Sequence, residues 1–323
     1  LLLLSFTQSL LYFFVFYCTA RMAFSGPYDL GIHGSIVNWF VRRRAFATSV
    51  ATLVTMSGLV SMPLIAHFVM QASDWRAAWV AIGATVLVAG FVPTWALHLR
   101  RPEDIGLRPD GERVTVSAGG GAGSAAEPDF SRGEALRTPA FWLLSLFTLL
   151  VFPVQAGISL HQAPLLIERG LDPTAAAAAV STFALLSAVA GFAYGFWPRR
   201  VPLRFALALV GLTLTASCVL MANVQSAALA YGAAALFGLG IGGLLTMLPI
   251  AWADYFGRSS YGAIRGVALM VQVAGQALGP VLSGALRDAT GNYAASLATF
   301  AVLALAGSAA ALFAAPPGRQ ARG

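Results

Sequence analysis

Apolar stretches, each about as long as the roughly 20 residues that a helix needs to cross a bilayer, recur along almost the whole chain. This repetition limits the possible fold more than any other feature. Charged side chains make up only 10% of the sequence, against about 25% in an ordinary soluble domain. So few charges could not cover the surface of a soluble domain. The pattern therefore predicts an all-α polytopic membrane protein.

The apolar pattern places membrane segments at 1–7, 10–40, 46–71, 75–98, 140–167, 172–197, 202–222, 226–256, 261–286 and 292–315. The residues between 98 and 140 are charged and contain SAGGGAGSAAEP, which is typical of a flexible aqueous linker. We therefore predict an N-terminal helical bundle over 1–98, a cytoplasmic linker over 99–138, a C-terminal six-helix bundle over 139–315 and a cytoplasmic tail over 316–323.

The basic residues indicate the orientation in the membrane. All 20 are arginine; sixteen fall in one set of alternate predicted loops and three in the other. Basic loops face the cytoplasm, so we expect Arg42–Arg44, the linker and the C-terminus on the cytoplasmic side of the inner membrane. Arg42, Arg43 and Arg44 would be either a topology anchor in contact with water and headgroups or part of a moving gate. Because the arginines are spread among short loops, no nucleic-acid partner is expected.

An internal repeat accompanies this topology. The stretch NWFVRRRAFATSVATLVTMSGLVSMP (38–63) is matched by DYFGRSSYGAIRGVALMVQVAGQALGP (254–280) at an offset of 216 to 217 residues. Each copy has an aromatic–Phe pair, an arginine, an apolar span with glycine and then a proline. Two matching halves, with a binding site where the repeats meet, are a recurring architecture of secondary transporters. The same offset predicts that two helices and most of a third precede Leu1.

The motifs WF…RRR.A.A, DWRAAW, FGRSSYGAIRG, GQALGP and LRDATGNY together resemble the major facilitator superfamily, and within it the bacterial branch related to monocarboxylate and oxalate/formate carriers. The resemblance runs from the end of the family's third helix to its twelfth, and implies two pseudo-symmetric six-helix bundles. Two features differ from the family. Its diagnostic loop between helices two and three is absent, and the second-half counterpart reads GFWPRRVPLR, with Arg199 where Asp is expected.

The resemblance also implies that helices four, seven and ten line the cavity, which correspond to 10–40, 140–167 and 226–256. At 1.5 Å per residue from Phe40, Asp29 would lie about 16 Å deep and His33 about 10 Å deep, one turn apart. We predict that this pair carries protons, because His titrates near neutral pH and a nearby carboxylate favours its charged form. Alternatively, Asp29 only orients a structural His33, or either side chain reaches carbonyl groups left free by Pro27.

Arg21, about 28 Å from Phe40, resembles the arginine of the family's helix-four motif. It could hold an anionic substrate through charge-assisted hydrogen bonds. A structural partner in another helix, or a position at the interface, is the alternative. In helix seven, His161 and Gln162 could contact polar atoms of the substrate, or His161 could be interfacial.

Two further groups of residues are predicted to take part in the conformational change. Asp254 and Arg258 could pair with each other or with Arg42–Arg44 as an inner gate, or form an ordinary solvated pair. Small residues and prolines in two helices would permit close packing and bending: Gly58, Pro63, Gly275, Gly279, Pro280 and Gly284.

These features favour a secondary transporter that moves a small organic anion with protons by alternating access. We expect a monomer with a small-molecule substrate, protons and the lipid bilayer as partners. No nucleotide-binding GxxxxGK or metal-binding HExxH is present, so neither cofactor nor metal is expected. The alternatives are an exporter of amphipathic drugs, a non-transporting membrane sensor and an intramembrane enzyme.

Overall fold

The computed structural model describes residues 1–97, 99, 101–111, 128, 130–198 and 200–318. Across these residues the regular structure consists of helices, without a strand. The middle of the predicted linker, Arg199 and most of the predicted tail lie outside the described residues. The prediction of an all-α membrane protein is confirmed.

The first part of the chain forms five α-helices with two π-helical turns among them. A 3₁₀ turn over Leu2–Phe6 stands where the end of a membrane helix was predicted. The α-helices are α1 (Leu10–Ala23), α2 (Asp29–Trp39), α3 (Arg44–Ala72), α4 (Trp75–Val86) and α5 (Val92–Leu97). The π turns, Phe24–Tyr28 and Leu87–Phe91, join α1 to α2 and α4 to α5. Two of these helices, α1 and α4, begin with side-chain caps: Ser9 accepts the Tyr12 N–H, and Asp74 accepts the Ala77 N–H at 2.8 Å.

The later part forms one short helix and six long ones. They are α6 (Arg132–Leu136), α7 (Pro139–Glu168), α8 (Pro173–Tyr194), α9 (Leu203–Ala222), α10 (Ala227–Phe256), α11 (Tyr261–Thr290) and α12 (Ala294–Phe313). Proline at the first position favours the starts of α7 and α8, since its missing N–H would have had no partner there. The α11 helix begins 217 residues after α3, which is the offset of the sequence repeat.

Among the described residues, seven helical segments are long and apolar enough to cross a membrane. They are Trp75–Leu97, Pro139–Glu168, Pro173–Tyr194, Leu203–Ala222, Ala227–Phe256, Tyr261–Thr290 and Ala294–Phe313. Two helical stretches that correspond to predicted membrane segments, 10–39 and Arg44–Ala72, are not among the seven. The first of them carries Arg21, Asp29 and His33. The chain is a multi-pass membrane protein.

The chain divides into two compact units. Unit 1 comprises Leu1–Val41 and Val54–Gly121, and unit 2 comprises Arg42–Leu53 and Ala122–Gly323. The helix α3 is therefore shared, with its first ten residues in unit 2.

In unit 2, α8 and α9 pack on α10, while α11 and α12 pack on α7. Small residues permit these contacts: a Cβ on Gly242 of α10 would lie 2.2 Å from the Ser187 carbonyl oxygen of α8. Buried hydroxyls add hydrogen bonds between helices, as where Ser308 donates to the Ala208 carbonyl at 2.7 Å. The core of unit 2 is thus built on close helix contacts and paired hydroxyl groups.

Both ends of the segment predicted as a flexible linker contain regular structure. In unit 1, 3₁₀ turns form over Pro102–Ile105 and Pro109–Gly111, and the Val41 N–H donates to Asp110 Oδ2 at 3.2 Å. In unit 2, Ser131 caps α6, and the N–H of buried Phe130 donates to the Phe256 carbonyl at 3.2 Å. Each described end is therefore anchored to its own unit.

Candidate functional site

A π-helical turn precedes Asp29 in unit 1. Pro27 lies inside this turn and has no N–H to donate. The Asp29 N–H donates to the carbonyl of Phe24, five residues earlier. Such wide turns occur frequently at functional sites. The turn places Asp29 at the start of α2.

Asp29 and His33 lie one turn apart on α2. Asp29 Oδ1 is 3.7 Å from His33 Nε2, and both side chains are largely buried. At this distance the two groups form an ion pair when the imidazole is protonated. The two side chains thus lie next to each other in this structure, and their role in carrying protons stays a prediction.

Arg21 lies in the last turn of α1 and is exposed in this structure. Its guanidinium carbon is 5.9 Å from the centre of the Phe24 ring, within the range of a cation–π contact. Phe24 in turn stacks on Tyr28 with their ring centres 5.6 Å apart. An exposed cation next to an aromatic pair can receive an anionic group.

The three consecutive arginines have different environments. Arg42 and Arg43 are exposed, as expected of residues that meet water or headgroups. Arg44 is only 4% exposed, and its Nη1 lies 2.5 Å from Asp254 Oδ1 at the end of α10. The pair joins residues 210 positions apart in the sequence. The structure thus contains the Arg44–Asp254 member of the predicted pairings, and Arg258 follows in the turn between α10 and α11.

The start of α3 makes further close contacts within unit 2. Thr246 Oγ1 lies 3.1 Å from Thr52 Oγ1 and 3.2 Å from the Gly191 carbonyl oxygen. A Cβ on Gly191 would approach Thr52 Cγ2 to 2.7 Å, and one on Gly195 would approach Ser49 Oγ to 2.2 Å. The sequence analysis did not identify these residues, because the small and hydroxyl side chains lie on separate helices without a local motif. Together with the Arg44–Asp254 pair they fasten the first turns of α3 to α8 and α10.

The α7 helix carries a row of polar side chains. Gln162 is 1% exposed, and neither of its amide atoms has a hydrogen-bond partner among the described residues. Gln155 and Ser159 precede it by seven and three positions, and each also has a buried oxygen without such a partner. The sequence analysis found Gln162 but missed the other two, although i, i+4, i+7 spacing was the available signal.

His161 lies on a different face of α7, near the C-terminal end of the helix. Its ring centre is 5.6 Å from that of Tyr293, and Tyr293 is 5.8 Å from the guanidinium carbon of Arg287. Arg287 Nε also pairs with Glu168 at 3.4 Å. The surroundings of His161 are thus an aromatic and ionic cluster that joins α7, α11 and the start of α12.

The glycines predicted to permit packing fall into two groups. A Cβ on Gly279 would lie 2.2 Å from the Pro153 carbonyl oxygen of α7, and one on Gly275 would lie 3.2 Å from Pro153 Cδ. By contrast, no atom lies within 4 Å of a Cβ placed on Gly58 or Gly284. The two prolines, Pro63 and Pro280, lie inside α3 and α11. In this conformation the close approach therefore involves Gly275 and Gly279.

Arg265 differs from its sequence interpretation. It was counted among the loop arginines, but it lies inside α11 with 2% exposure. Its Nη2 donates to Gln272 Oε1 at 2.5 Å, two turns further along the same helix. A buried, hydrogen-bonded arginine in a membrane helix is a further candidate functional residue.

Within the described part of the chain, no cluster of His, Cys, Asp or Glu side chains could hold a metal ion. Unit 1 carries the cation Arg21 and the Asp29–His33 pair, and unit 2 carries the neutral polar row of α7. The groups of unit 1 suit ligands recognised by charge, and those of unit 2 suit ligands recognised by hydrogen bonds.

Comparison with known proteins identifies the family of the chain. The family model of the Major Facilitator Superfamily matches residues 1–166 and 156–323. Monocarboxylate transporter 11 of Mus musculus is 27% identical over 288 residues, which cover 85% of this chain and 60% of that protein. Monocarboxylate transporter 13 of Bos taurus is 30% identical over 277 residues, covering 84% and 60%. The chain thus spans about 60% of the length of these curated relatives, which are transporters rather than enzymes.

A solved structure shows the same fold. The Major Facilitator Superfamily transporter FucP, crystallised in an outward conformation, matches with a TM-score of 0.59 over 89% of this chain and 72% of that one, at 14% identity. Such a likeness supports the fold alone. Together with the family match over both halves of the sequence, it confirms the family predicted from the motifs. The chain belongs to the Major Facilitator Superfamily.

Proposed function

We propose that the full-length protein is a secondary transporter that moves a small organic anion by alternating access, coupled to protons. The observation that carries this proposal is the Asp29–His33 pair of α2, 3.7 Å apart and largely buried, in the continuous helical stretch over 10–39 that also holds Arg21 in α1. Ionisable groups at such positions are costly unless they serve a pathway or a relay. The relatives named monocarboxylate transporters support the substrate class.

In this proposal Arg21 binds the carboxylate of the substrate. A guanidinium presents several donors in a fixed geometry that suits a carboxylate. Its exposure leaves the donors accessible, and the adjacent Phe24 holds the guanidinium by a cation–π contact. His161 and Gln162 of α7 are proposed to contact other polar atoms of the substrate.

Asp29 and His33 are proposed to carry the coupled proton. Protonation of His33 creates an ion pair with Asp29, and release of the proton removes it. A change between these two states alters the local charge of α2. This change is the proposed link between proton movement and the conformational cycle.

The Arg44–Asp254 pair is proposed to be an inner gate. It is charge-assisted and forms between elements that are far apart in the sequence. Arg258, next to the same helix end, is proposed to assist it. In the proposed topology this gate, the linker and the C-terminus face the cytoplasm, the membrane is the inner membrane and the protein is a monomer.

The test is uptake of radiolabelled lactate by the full-length protein in proteoliposomes, with and without an inward proton gradient. We expect uptake above that of empty vesicles, and faster uptake when the gradient is imposed. Absence of uptake for lactate and for longer hydroxy acids would contradict the proposed function. An uptake rate that does not change when the proton gradient is imposed would contradict the proton coupling but not the transport of the anion.

Export of amphipathic compounds is a second candidate function, favoured by one observation. The stacked rings of Phe24 and Tyr28 are exposed directly before Asp29. An aromatic pair beside a carboxylate suits a lipophilic cation. Competition by tetraphenylphosphonium, with none by carboxylates, would favour this function over anion transport.

A further inference from the structure

The polar row of α7 consists of Gln155, Ser159 and Gln162. Their spacing of i, i+4 and i+7 places them on one face of the helix. The row extends over about 10 Å along the axis, at 1.5 Å per residue. It lies in a 30-residue helix with the composition of a membrane span.

The polar atoms of the row are buried without partners. Gln155 Oε1, Ser159 Oγ and both amide atoms of Gln162 have no hydrogen-bond partner among the described residues. A buried polar group left in this state costs about 1–3 kcal/mol. Some other buried hydroxyls of unit 2 are paired: Ser217 donates to the Ala233 carbonyl and Ser308 to the Ala208 carbonyl.

Single buried atoms without a partner among the described residues also occur elsewhere in unit 2, at Ser145, His161, Ser187, Arg204 and Trp252. These positions are distributed over the four helices α7, α8, α9 and α10. The row differs because three such side chains follow one another on a single helix face. A concentration of unsatisfied groups in a native structure indicates a site whose partner arrives from outside.

The chemistry of the row is neutral. The sequence of α7 has no Asp, Glu or Arg before Glu168, and α8 has none along its whole length. Amide and hydroxyl groups offer both donors and acceptors but no charge. They therefore match hydroxyl groups, which also donate and accept, better than they match a carboxylate.

We infer that the α7 row binds the hydroxyl groups of the substrate, and that the substrate is a hydroxylated organic acid with more than one polar position along its carbon chain. This inference rests on the proposed transport of a small organic anion. A plain short-chain monocarboxylate has its polar atoms at one end and would leave most of the row unsatisfied. The row is covered in this structure, so the substrate reaches it in another state of the transport cycle.

The experiment measures how well three acids of equal carbon number compete for uptake. The full-length protein in proteoliposomes takes up radiolabelled glycerate, and propionate, lactate and glycerate compete with zero, one and two hydroxyl groups. We expect glycerate to compete at least about tenfold better than propionate, because a site built to bond a hydroxyl discriminates against the analogue that lacks it. Equal competition by propionate and glycerate would overturn the inference.

Substitutions in the α7 row test whether its side chains cause the preference for glycerate over propionate. We expect Ser159→Ala and Gln155→Met to reduce the difference between glycerate and propionate to less than about threefold, without weakening competition by propionate. Ser159→Thr, which keeps the hydroxyl, should retain the difference. Ser181→Ala is the matched control, because Ser181 is an exposed α8 residue that bonds the Ala177 carbonyl.

The outcomes separate the two proposals. If the protein takes up no acid of the series, the proposed anion transport fails and the inference fails with it. If it takes up acids but the variants keep the full preference for glycerate, only the inference fails. A variant that inserts poorly is assessed by substrate-induced thermal stabilisation of the purified protein, with glycerate and propionate as ligands.

Discussion

Asp29 and His33 are the two ionisable residues of α2. The protonation state of His33 decides whether the two side chains attract each other. Because both side chains are largely buried, the gain or loss of one charge has a larger effect there than on the surface. Arg21, by contrast, is exposed and keeps its charge throughout. At the scale of single residues, the Asp29–His33 pair can therefore act as a switch, whereas Arg21 has a constant role.

For Asp29→Asn we expect weaker dependence of uptake on the proton gradient, with substrate exchange partly preserved. The amide removes the negative charge but keeps the size of the side chain. Proton-driven uptake and exchange at equal pH are measured in the full-length protein. Asp288→Asn serves as the control, since Asp288 is exposed at the end of α11. Unchanged gradient dependence of Asp29→Asn would count against the proposed coupling.

For Arg21→Ala we expect at least about a tenfold loss of anion uptake, since hydrogen bonds to charged groups contribute roughly 1.5–3 kcal/mol. Arg21→Lys should keep part of the activity, because the charge remains while the fork geometry is lost. Uptake is normalised to the amount of inserted protein, and Arg169→Ala is the control. Normal uptake by Arg21→Ala would remove Arg21 from the substrate site.

The helices of unit 2 approach one another closely where a glycine of one helix lies against the backbone of a neighbouring helix. Gly279 of α11 faces the carbonyl group of Pro153 on α7, and a backbone carbonyl has little freedom to move away. Gly284, five residues further along α11, has open space instead. The same substitution at these two positions thus tests the helix contact separately from helix propensity.

Gly279→Ala should destabilise the protein by about 1–3 kcal/mol, because the added methyl group forces α7 and α11 apart. We expect the melting temperature in detergent to fall by several degrees. Gly284→Ala should leave it unchanged or raise it, since alanine favours the helix. Equal melting temperatures for the two variants would show that the contact contributes little.

At the scale of the whole molecule, α3 belongs to both compact units, and its first turns are fastened within unit 2. Two kinds of contact hold them there: the Arg44–Asp254 ion pair, and the packing of Ser49 and Thr52 against Gly195 and Gly191. A transport cycle that moves α3 must break these contacts. The conformational equilibrium is therefore expected to depend on them.

Asp254→Arg should expose the start of α3 through repulsion of Arg44, and the exchange Arg44→Asp with Asp254→Arg should reverse this effect. A cysteine introduced at the buried Thr48, with Cys18 and Cys218 replaced by serine, reports the change through its rate of thiol labelling. We expect faster labelling in the single variant and slower labelling again in the exchange. Arg137→Asp, at an exposed position outside the proposed gate, is the control. An equal labelling rate with and without the Asp254→Arg substitution would contradict the proposed gate.

The predicted topology has a direct test. Green fluorescent protein fused to the C-terminus of the full-length protein should be fluorescent, and alkaline phosphatase at the same position should be inactive, because both results require a cytoplasmic end. The basis is the excess of arginine in one set of loops. Active phosphatase would reverse the assigned sides.

Several features of the fold could be predicted from the sequence because the signals are local. Apolar length identifies a membrane helix, caps and prolines indicate its start, and the motifs around 38–63 and 254–280 identify the family. Asp29 and His33 could be paired in advance, since one helix holds both. The glycine-rich middle of the linker was equally visible from composition, and its predicted flexibility stays a prediction.

The sequence by itself determined that the chain is helical and crosses the membrane several times, that its arginines fall mainly in one set of predicted loops, and which family it belongs to. Only the tertiary structure decided that Arg44 is buried against Asp254 and that Arg265 lies inside α11. It also decided that polar atoms of Gln155, Ser159 and Gln162 are buried without hydrogen-bond partners among the described residues. The physical reason is that a helix apolar on all sides gives no signal of which face meets which neighbour. Contacts between residues far apart in the chain depend on which helix faces meet. The packing of the helices against one another decides this.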